Sequence, residues 1–377
     1  MSDGVQVRLT FPQRVIFGPG GLKTLADEVA LLGTRPALVA GQRWLRASGR
    51  LDEILGSLSA KGLKPLAFEG AEPEPTVETV QRCVEFIRQS QADCVVAIGG
   101  GSVIDVGKAA ACIAAHEGTA LEYFRGREVP GPGLPFAAVP TTAGTGSEAT
   151  KNSVLRDTER ELKTSLRTEH MIPRVAIVDP ELTLDLPPDL TAQTGMDAFT
   201  QALESYVSLG ASPATDGIAL EAARLVGANL LAAYRNGSDK KARESVSLGS
   251  LLAGIALNNA GVGLVHGMAH PIGALCHLPH GLVCAVLLPA VIDFNRQACG
   301  DKYKRIEQLL ALDGEDLASF TRRMNSEMGI APNLSALGVD ARRLDKIVAD
   351  TLPLGSTRSN PRKVQAEDVR AVFLSLM

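Results

Sequence analysis

The chain has 377 residues, 38 Lys and Arg against 42 Asp and Glu, 45% hydrophobic residues and 37 Gly. At roughly 150 residues per domain this length holds two domains with ample apolar sequence for a core, which excludes a disordered chain. A formal charge of -4 without a long run of like charges excludes the basic footprint of a nucleic-acid binder. The opening MSDGVQVRLTFPQRV lacks a signal-peptide layout, and charged or turn residues interrupt each apolar stretch, so the expectation is a cytoplasmic protein with no membrane partner.

In chain order, short apolar runs alternate with amphipathic stretches up to about residue 180. The runs PALVA (Pro36 to Ala40), CVVAI (Cys94 to Ile98), PFAAV (Pro135 to Val139) and VAIV (Val175 to Val178) read as strands, and Leu51 to Lys61 and Val77 to Ser90 read as helices. That alternation predicts a parallel sheet covered by helices on both faces. After Asp185 the segments Thr191 to Leu209, Ala214 to Tyr234, Lys241 to Asn259, Tyr303 to Leu312 and Glu315 to Met328 are Ala/Leu-rich and read as helices. Pro180, Pro187 and Pro188 interrupt both patterns. The expected division is therefore a doubly wound α/β domain over residues 1–183 and an all-α domain over residues 184–377, with a ligand in the cleft between them.

Two loops in the first half suit phosphate. In ADCVVAIGGGSVIDVGKA an apolar strand runs into Gly99, Gly100, Gly101 and Ser102 and then a helix. Glycines admit close backbone approach, and exposed N–H groups at the helix start suit a pyrophosphate. The spacing is neither GxGxxG nor the P-loop. Asp105 falls in the first helical turn, where it would support the loop. After the next strand, PTTAGTGSEAT interleaves Thr141, Thr142, Thr145 and Ser147 with Gly144 and Gly146. Ligands of open α/β sheets bind at such strand ends.

In the second half, His266, His270, His277 and His280 lie within VHGMAHPIGALCHLPHG, a density that points to a metal. His266 and His270 share a face of a helix that should begin near Gly263, since Pro271 is tolerated only near a start or at a kink. Upstream, Asp197, Gln201 and Glu204 recur at i, i+4 and i+7 on an otherwise apolar helix. They form either a solvated stripe or a polar set facing the histidines. The six cysteines show no CxxC pair and read as small buried residues, with a reactive or ligand role as the alternative for Cys276 and Cys284, which flank the histidine cluster.

Taken together, GGGSVIDVGKA, PTTAGTGSEAT, DPELTLDLPPDLTAQTGMDAFTQALESYVS, NNAGVGLVHGMAHPIGALCHLPHG and the late SNPR resemble the iron-containing (group III) alcohol dehydrogenase family. The resemblance runs in order from FGPG (Phe17 to Gly20) to NPR (Asn360 to Arg362). It implies a dehydroquinate synthase-like fold with an α/β N-terminal Rossmann-like dinucleotide-binding domain (residues 1–183) and an all-α C-terminal metal- and substrate-binding domain (residues 184–377), a nicotinamide cofactor (NAD or NADP), a divalent metal (Fe2+, or Zn2+ on the same residues), a small alcohol or aldehyde substrate, and a homodimer or larger homo-oligomer.

Carried over by position, the resemblance makes Asp197, His266 and His280 metal ligands and gives His270 a role in proton relay. Gly100, Gly101 and Ser102 become the diphosphate loop, Thr141, Thr142, Thr145 and Leu182 line the cofactor, and Lys163 stands near its ribose. Two positions depart from the pattern. Gln201 stands where metal-dependent members have a fourth ligand, a histidine, and a neutral amide oxygen is the poorer donor. Gly41 stands where an aspartate commonly accepts from the ribose 2′-OH, and with Gln42 and Arg43 it removes repulsion of a 2′-phosphate. The leading expectation is a metal-dependent alcohol dehydrogenase or aldehyde reductase. The alternatives are a metal-independent reductase similar to maleylacetate reductases and, behind it, a dehydroquinate synthase-like lyase. Phe199, Leu264, Cys276 and His277 are expected to line the substrate pocket.

Overall fold

Buried strands of a parallel sheet must be apolar on both faces, because helices cover both. The computed structural model describes residues 7–42, 44–160 and 162–377 and divides into two compact units, one of Phe11–Leu184 and one of residues 7–10 with Asp185–Met377. The sheet unit contains β1 (Arg14–Phe17), β2 (Pro36–Gly41), β3 (Leu66–Ala71), β4 (Cys94–Gly99), β5 (Phe136–Pro140), β6 (Asn152–Asp157), β7 (Leu162–Arg167) and β8 (Val175–Val178). Six strands form one sheet in the order β1-β8-β5-β4-β2-β3, with every neighbouring pair parallel. Successive side chains alternate faces. Val95 and Ala97 of β4 pack with residues of the Val77–Gln89 and Gly101–Ala114 helices, whereas Val96 and Ile98 pack with Leu25, Leu51 and Leu58 on the other face.

The expected central strands form at β2, β4, β5 and β8. The strands absent from the sequence reading are the sheet edges β1 and β3, whose residues are mostly half-exposed or exposed, and the antiparallel β6–β7 hairpin. Edge strands bury less, so their sequences carry no continuous apolar run. Strand order reverses between β2 and β4, which places the carboxyl ends of these two strands, Gly41 and Gly99, at the switch point where open α/β sheets bind ligands.

In the helical unit the Pro188–Val207 helix packs against the Pro213–Arg235, Lys240–Ala260 and His280–Leu309 helices. Almost every residue from Gly195 to Val207 is buried, so the helix is enclosed on all sides. The expected separate helix at Tyr303 to Leu312 is present as the part of His280–Leu309 beyond a break at Cys299, whose non-helical angles (φ -140, ψ 29) divide that stretch into two helices, and it ends at Leu309. By length and composition the His280–Leu309 stretch qualifies as a membrane span, which the sequence reading had excluded for every stretch. Its apolar residues Val283, Val286, Leu287 and Leu288 are buried in the protein core. The Lys240–Ala260 and Leu264–Cys276 helices meet at a bend of 103°, made by Gly261 at φ 76 and by Gly263 as N-cap. That bend starts the histidine-bearing helix where the sequence places it.

Candidate metal centre and nucleotide-binding loops

Asp197, Gln201 and Glu204 are each 3% exposed, so they point into the helical unit and not to solvent. Glu204 holds the start of the Leu264–Cys276 helix. Its Oε1 accepts the Val265 N–H at 2.6 Å and its Oε2 accepts the His266 N–H at 3.3 Å. Asn360 Oδ1 accepts the Leu264 N–H at 3.2 Å. Three amides with no partner inside the helix are thereby satisfied, next to the positive end of its dipole.

The same carboxylate lies 2.6 Å from His266 Nδ1. The carboxylate accepts from Nδ1, which turns the other ring nitrogen, Nε2, away from Glu204 and toward Asp197. His266 Nε2 lies 3.4 Å from Asp197 Oδ1, and His280 Nε2 lies 3.8 Å from the same oxygen. Gly281 makes this approach feasible, because a Cβ there would come within 2.2 Å of the Gln193 carbonyl oxygen. The His280 ring stands 5.5 Å from that of His266 and stacks at 5.0 Å on His270. One ligand atom each from Asp197, His266, His280 and Cys284 fall within 4.8 Å of one another.

Burial by itself pushes the His266 imidazolium pKa down, but the facing carboxylates of Asp197 and Glu204 outweigh it and raise it to about 9. Asp197 Oδ1, Gln201 Oε1 and His266 Nε2 are buried and take no hydrogen bond from the described residues. Buried polar atoms in that state are costly, and a divalent cation, taking the place of the Nε2 proton, is the partner that would satisfy them together. The donor set of one carboxylate and two imidazoles suits zinc or iron.

Of the residues expected to line a substrate pocket, Phe199 is fully buried and packs edge-on against Phe320 at 6.1 Å, and Leu264 is also fully buried. Phe199 belongs to the core because its helix is enclosed, and Leu264 opens the neighbouring Leu264–Cys276 helix, whose first turn is buried as well. His277 is the left-handed C-cap at φ 54, and Cys276 is half-buried with its thiol pushed up by burial. The helix reading of Asp197, Gln201 and Glu204 carried no sign of the amide-capping role of Glu204. The backbone amides it meets lie sixty-one and sixty-two residues away.

In the sheet unit, the Gly101–Ala114 helix starts from Gly100 in an extended conformation without a side-chain cap. Its first N–H groups are therefore available to an anion. A Cβ on Gly101 would meet Thr145 Oγ1 at 2.5 Å, and one on Gly100 would touch Thr142, so the two sequence-predicted loops lie against each other. The Thr141 N–H donates to Gly99 O at 2.9 Å. Ser102 Oγ accepts the Glu74 N–H at 3.3 Å, and Glu74 pairs with Lys163. Leu182 is 3% exposed, its side chain packed into the core of one sheet face. Gly41 ends β2, with room for a Cβ at 3.4 Å from Val103 Cγ2. Arg43 lies outside the described residues.

A buried ionic network underlies these loops. Asp105 accepts from Ser147 Oγ at 2.5 Å and from the Val154 N–H at 2.9 Å. Lys108 Nζ lies 3.2 Å from Asp105 Oδ1 and donates to Ser147 O at 3.0 Å and Thr150 Oγ1 at 3.1 Å. Beside them Glu148, which is 3% exposed, has its pKa pushed by burial to about 7. Asp105 was legible as a loop support. Lys108 was not, since a lysine in an apolar helix is ordinarily solvated.

Comparison with known proteins agrees with this arrangement over both units. The family described as iron-containing alcohol dehydrogenase matches residues 12–180, and the C-terminal part of the Fe-containing alcohol dehydrogenase family matches residues 191–377. The chain is 38% identical over 374 residues to the 1,3-propanediol dehydrogenase of Klebsiella pneumoniae, covering 96% of each. It is 34% identical over 381 residues to the lactaldehyde reductase of Escherichia coli strain K12, covering 97% of this chain and 98% of that one. It superposes on a crystal structure of 1,3-propanediol oxidoreductase with a TM-score of 0.94 at 37% identity, covering 99% of this chain and 100% of the other. With both halves matched in order, the chain belongs to the iron-containing alcohol dehydrogenase family.

Proposed function

We propose that this oxidoreductase of alcohols and aldehydes interconverts a short-chain alcohol and its aldehyde, using a nicotinamide dinucleotide and a divalent ion held by Asp197, His266 and His280, with the Gln201 amide oxygen beside them. The observation that carries this reading is the convergence of Asp197 Oδ1, His266 Nε2 and His280 Nε2, with Glu204 fixing the His266 tautomer. When bound, the ion supplies Lewis acidity toward the carbonyl or alcohol oxygen, and the nicotinamide accepts or supplies the hydride. Asp197 and the two imidazoles fix where the reacting oxygen is held. His270, stacked on His280 and half-buried, passes the hydroxyl proton toward solvent. The Gly99 to Ser102 turn and the Thr141 to Thr145 loop hold the diphosphate, and Lys163 faces the ribose.

Gly41 leaves no carboxylate at the end of β2 to repel a 2′-phosphate, which supports acceptance of NADP(H) as well as NAD(H). The Gln201 amide favours one second reading, a metal-independent reductase in which the histidines donate hydrogen bonds to an anionic substrate. Elemental analysis on anaerobically purified protein separates the two, with NADH and NADPH oxidation by short-chain aldehydes followed before and after chelation. About one ion per chain, with activity lost on chelation and restored by the ion, supports the metal-dependent enzyme. Metal-free protein that still turns over overturns it. Sedimentation velocity tests the expected homodimer or larger assembly.

A further inference from the structure

Three donors leave a divalent transition ion one short of the four that a tetrahedral site takes. Two further donor types stand at this cluster. Gln201 offers a neutral amide oxygen, buried and without a hydrogen bond from the described residues. Cys284 lies one turn beyond His280 on the same helix, is buried, and has its Sγ 3.6 Å from His280 Nε2. Its sulfur belongs to the mutually close set with Asp197, His266 and His280.

Zinc bonds of about 2.0–2.3 Å give a tetrahedron with edges of about 3.3–3.6 Å. The spacings here are 3.4 Å for His266 to Asp197, 3.8 Å for His280 to Asp197 and 3.6 Å for Cys284 to His280. These edges are close to what one ion at the centre would require. A thiolate is also a far stronger donor than an amide oxygen for a borderline-soft ion.

We propose that Cys284 is the fourth protein ligand of this centre, giving an Asp-His-His-Cys site that favours zinc or cobalt over magnesium or manganese. Coordination replaces the thiol proton with the metal bond and releases that proton to solvent. The two charges on Asp197 and Cys284 then balance a divalent ion. Zinc sites expand to five donors, so four protein ligands leave access for a substrate oxygen. This inference rests on the metal-dependent reading given above.

The test loads the metal-depleted full-length protein with zinc and records zinc X-ray absorption, alongside the optical spectrum of the cobalt-loaded protein. One sulfur at about 2.3 Å with lighter donors at about 2.0–2.1 Å, and a sulfur-to-cobalt charge-transfer band, are expected. Cys284→Ser is expected to lose both signals and to weaken zinc binding by at least the roughly 10–100-fold that loss of an outer-shell partner costs. Zinc bound in a shell of nitrogen and oxygen alone, with Cys284→Ser binding as tightly as the parent, overturns the proposal and leaves the metal-dependent oxidoreductase standing. A protein that takes up neither ion overturns both. The wild-type spectra decide the question even where the variant fails to fold.

Discussion

His266 Nδ1 lies 2.6 Å from Glu204 Oε2, and the same carboxylate caps the helix on which His266 sits. One buried acid thus sets both the position and the tautomer of an imidazole whose other nitrogen faces Asp197. Glu204→Gln keeps the volume but removes the charge, and the expected result is metal affinity lower by about 10–100-fold, measured by chelator competition. Glu204→Ala also leaves the Val265 and His266 amides unpaired, so a stability loss of about 1–3 kcal/mol is expected in denaturant unfolding of the metal-free protein.

Lys108 joins the helix that follows the Gly99 to Ser102 turn to the loop after β5 through Ser147 and Thr150. Burial lowers its pKa against the pull of Asp105 and Glu148. Lys108→Met leaves Asp105 buried without its counter-ion, an expected cost of about 3–5 kcal/mol. Because the two segments keep the Asp105–Ser147 bond but lose the Lys108 contacts to Ser147 and Thr150, KM for the dinucleotide should rise more than kcat falls. An unchanged cofactor KM in folded variant would assign Lys108 to stability alone.

Glu148 supplies a pH dependence whose sign follows from its burial. Its folded pKa is about 7 against an ordinary 4.5, so the folded state holds a proton that the unfolded state has lost between these values. Stability should therefore fall as pH rises from about 4.5 to 7, by on the order of 1–3 kcal/mol from this residue. Glu148→Gln should flatten that part of the profile, as read by urea unfolding at a series of pH values. A parallel profile for the variant would refute the assignment.

Gly41→Asp should shift cofactor preference toward NAD(H). Val103 Cγ2 at 3.4 Å and Ala71 O at 3.8 Å leave room for the new Cβ, so the change acts mainly through charge. At least a tenfold fall in kcat/KM for NADPH relative to NADH is expected, equivalent to about 1.4 kcal/mol. A ratio that does not move would show that the end of β2 does not read the 2′ position.

Chelation should remove activity, and Asp197→Asn should reproduce that loss without chelator. Its oxygen Oδ1 lies within 4 Å of both His266 Nε2 and His280 Nε2. Metal content by elemental analysis should fall well below one ion per chain in the variant. Retention of both metal and activity would displace Asp197 from the centre.

How much was legible follows from the kind of signal each element carries. The central strands β2, β4, β5 and β8 announced themselves because burial on both faces demands an unbroken apolar run. The edges β1 and β3 did not, since half their surface faces away from the core. The break near residue 184 followed from the prolines that end both patterns. The start of the histidine helix at Gly263 followed from Pro271 and the glycines.

The sequence by itself determined the two-part plan of a parallel sheet followed by helices, because local pattern and motif spacing are properties of neighbouring residues. Only the tertiary structure decided that Asp197, Gln201 and Glu204 face inward, since a polar i, i+4, i+7 stripe serves a solvated face or a buried site equally well. It also decided that Glu204 meets His266 Nδ1, that the Cys284 sulfur lies close to the ligand atoms of Asp197, His266 and His280, and that Lys108 is buried beside Ser147 and Thr150. Those assignments depend on groups far apart in sequence meeting at hydrogen-bond or ligand distance, which chain order alone does not encode.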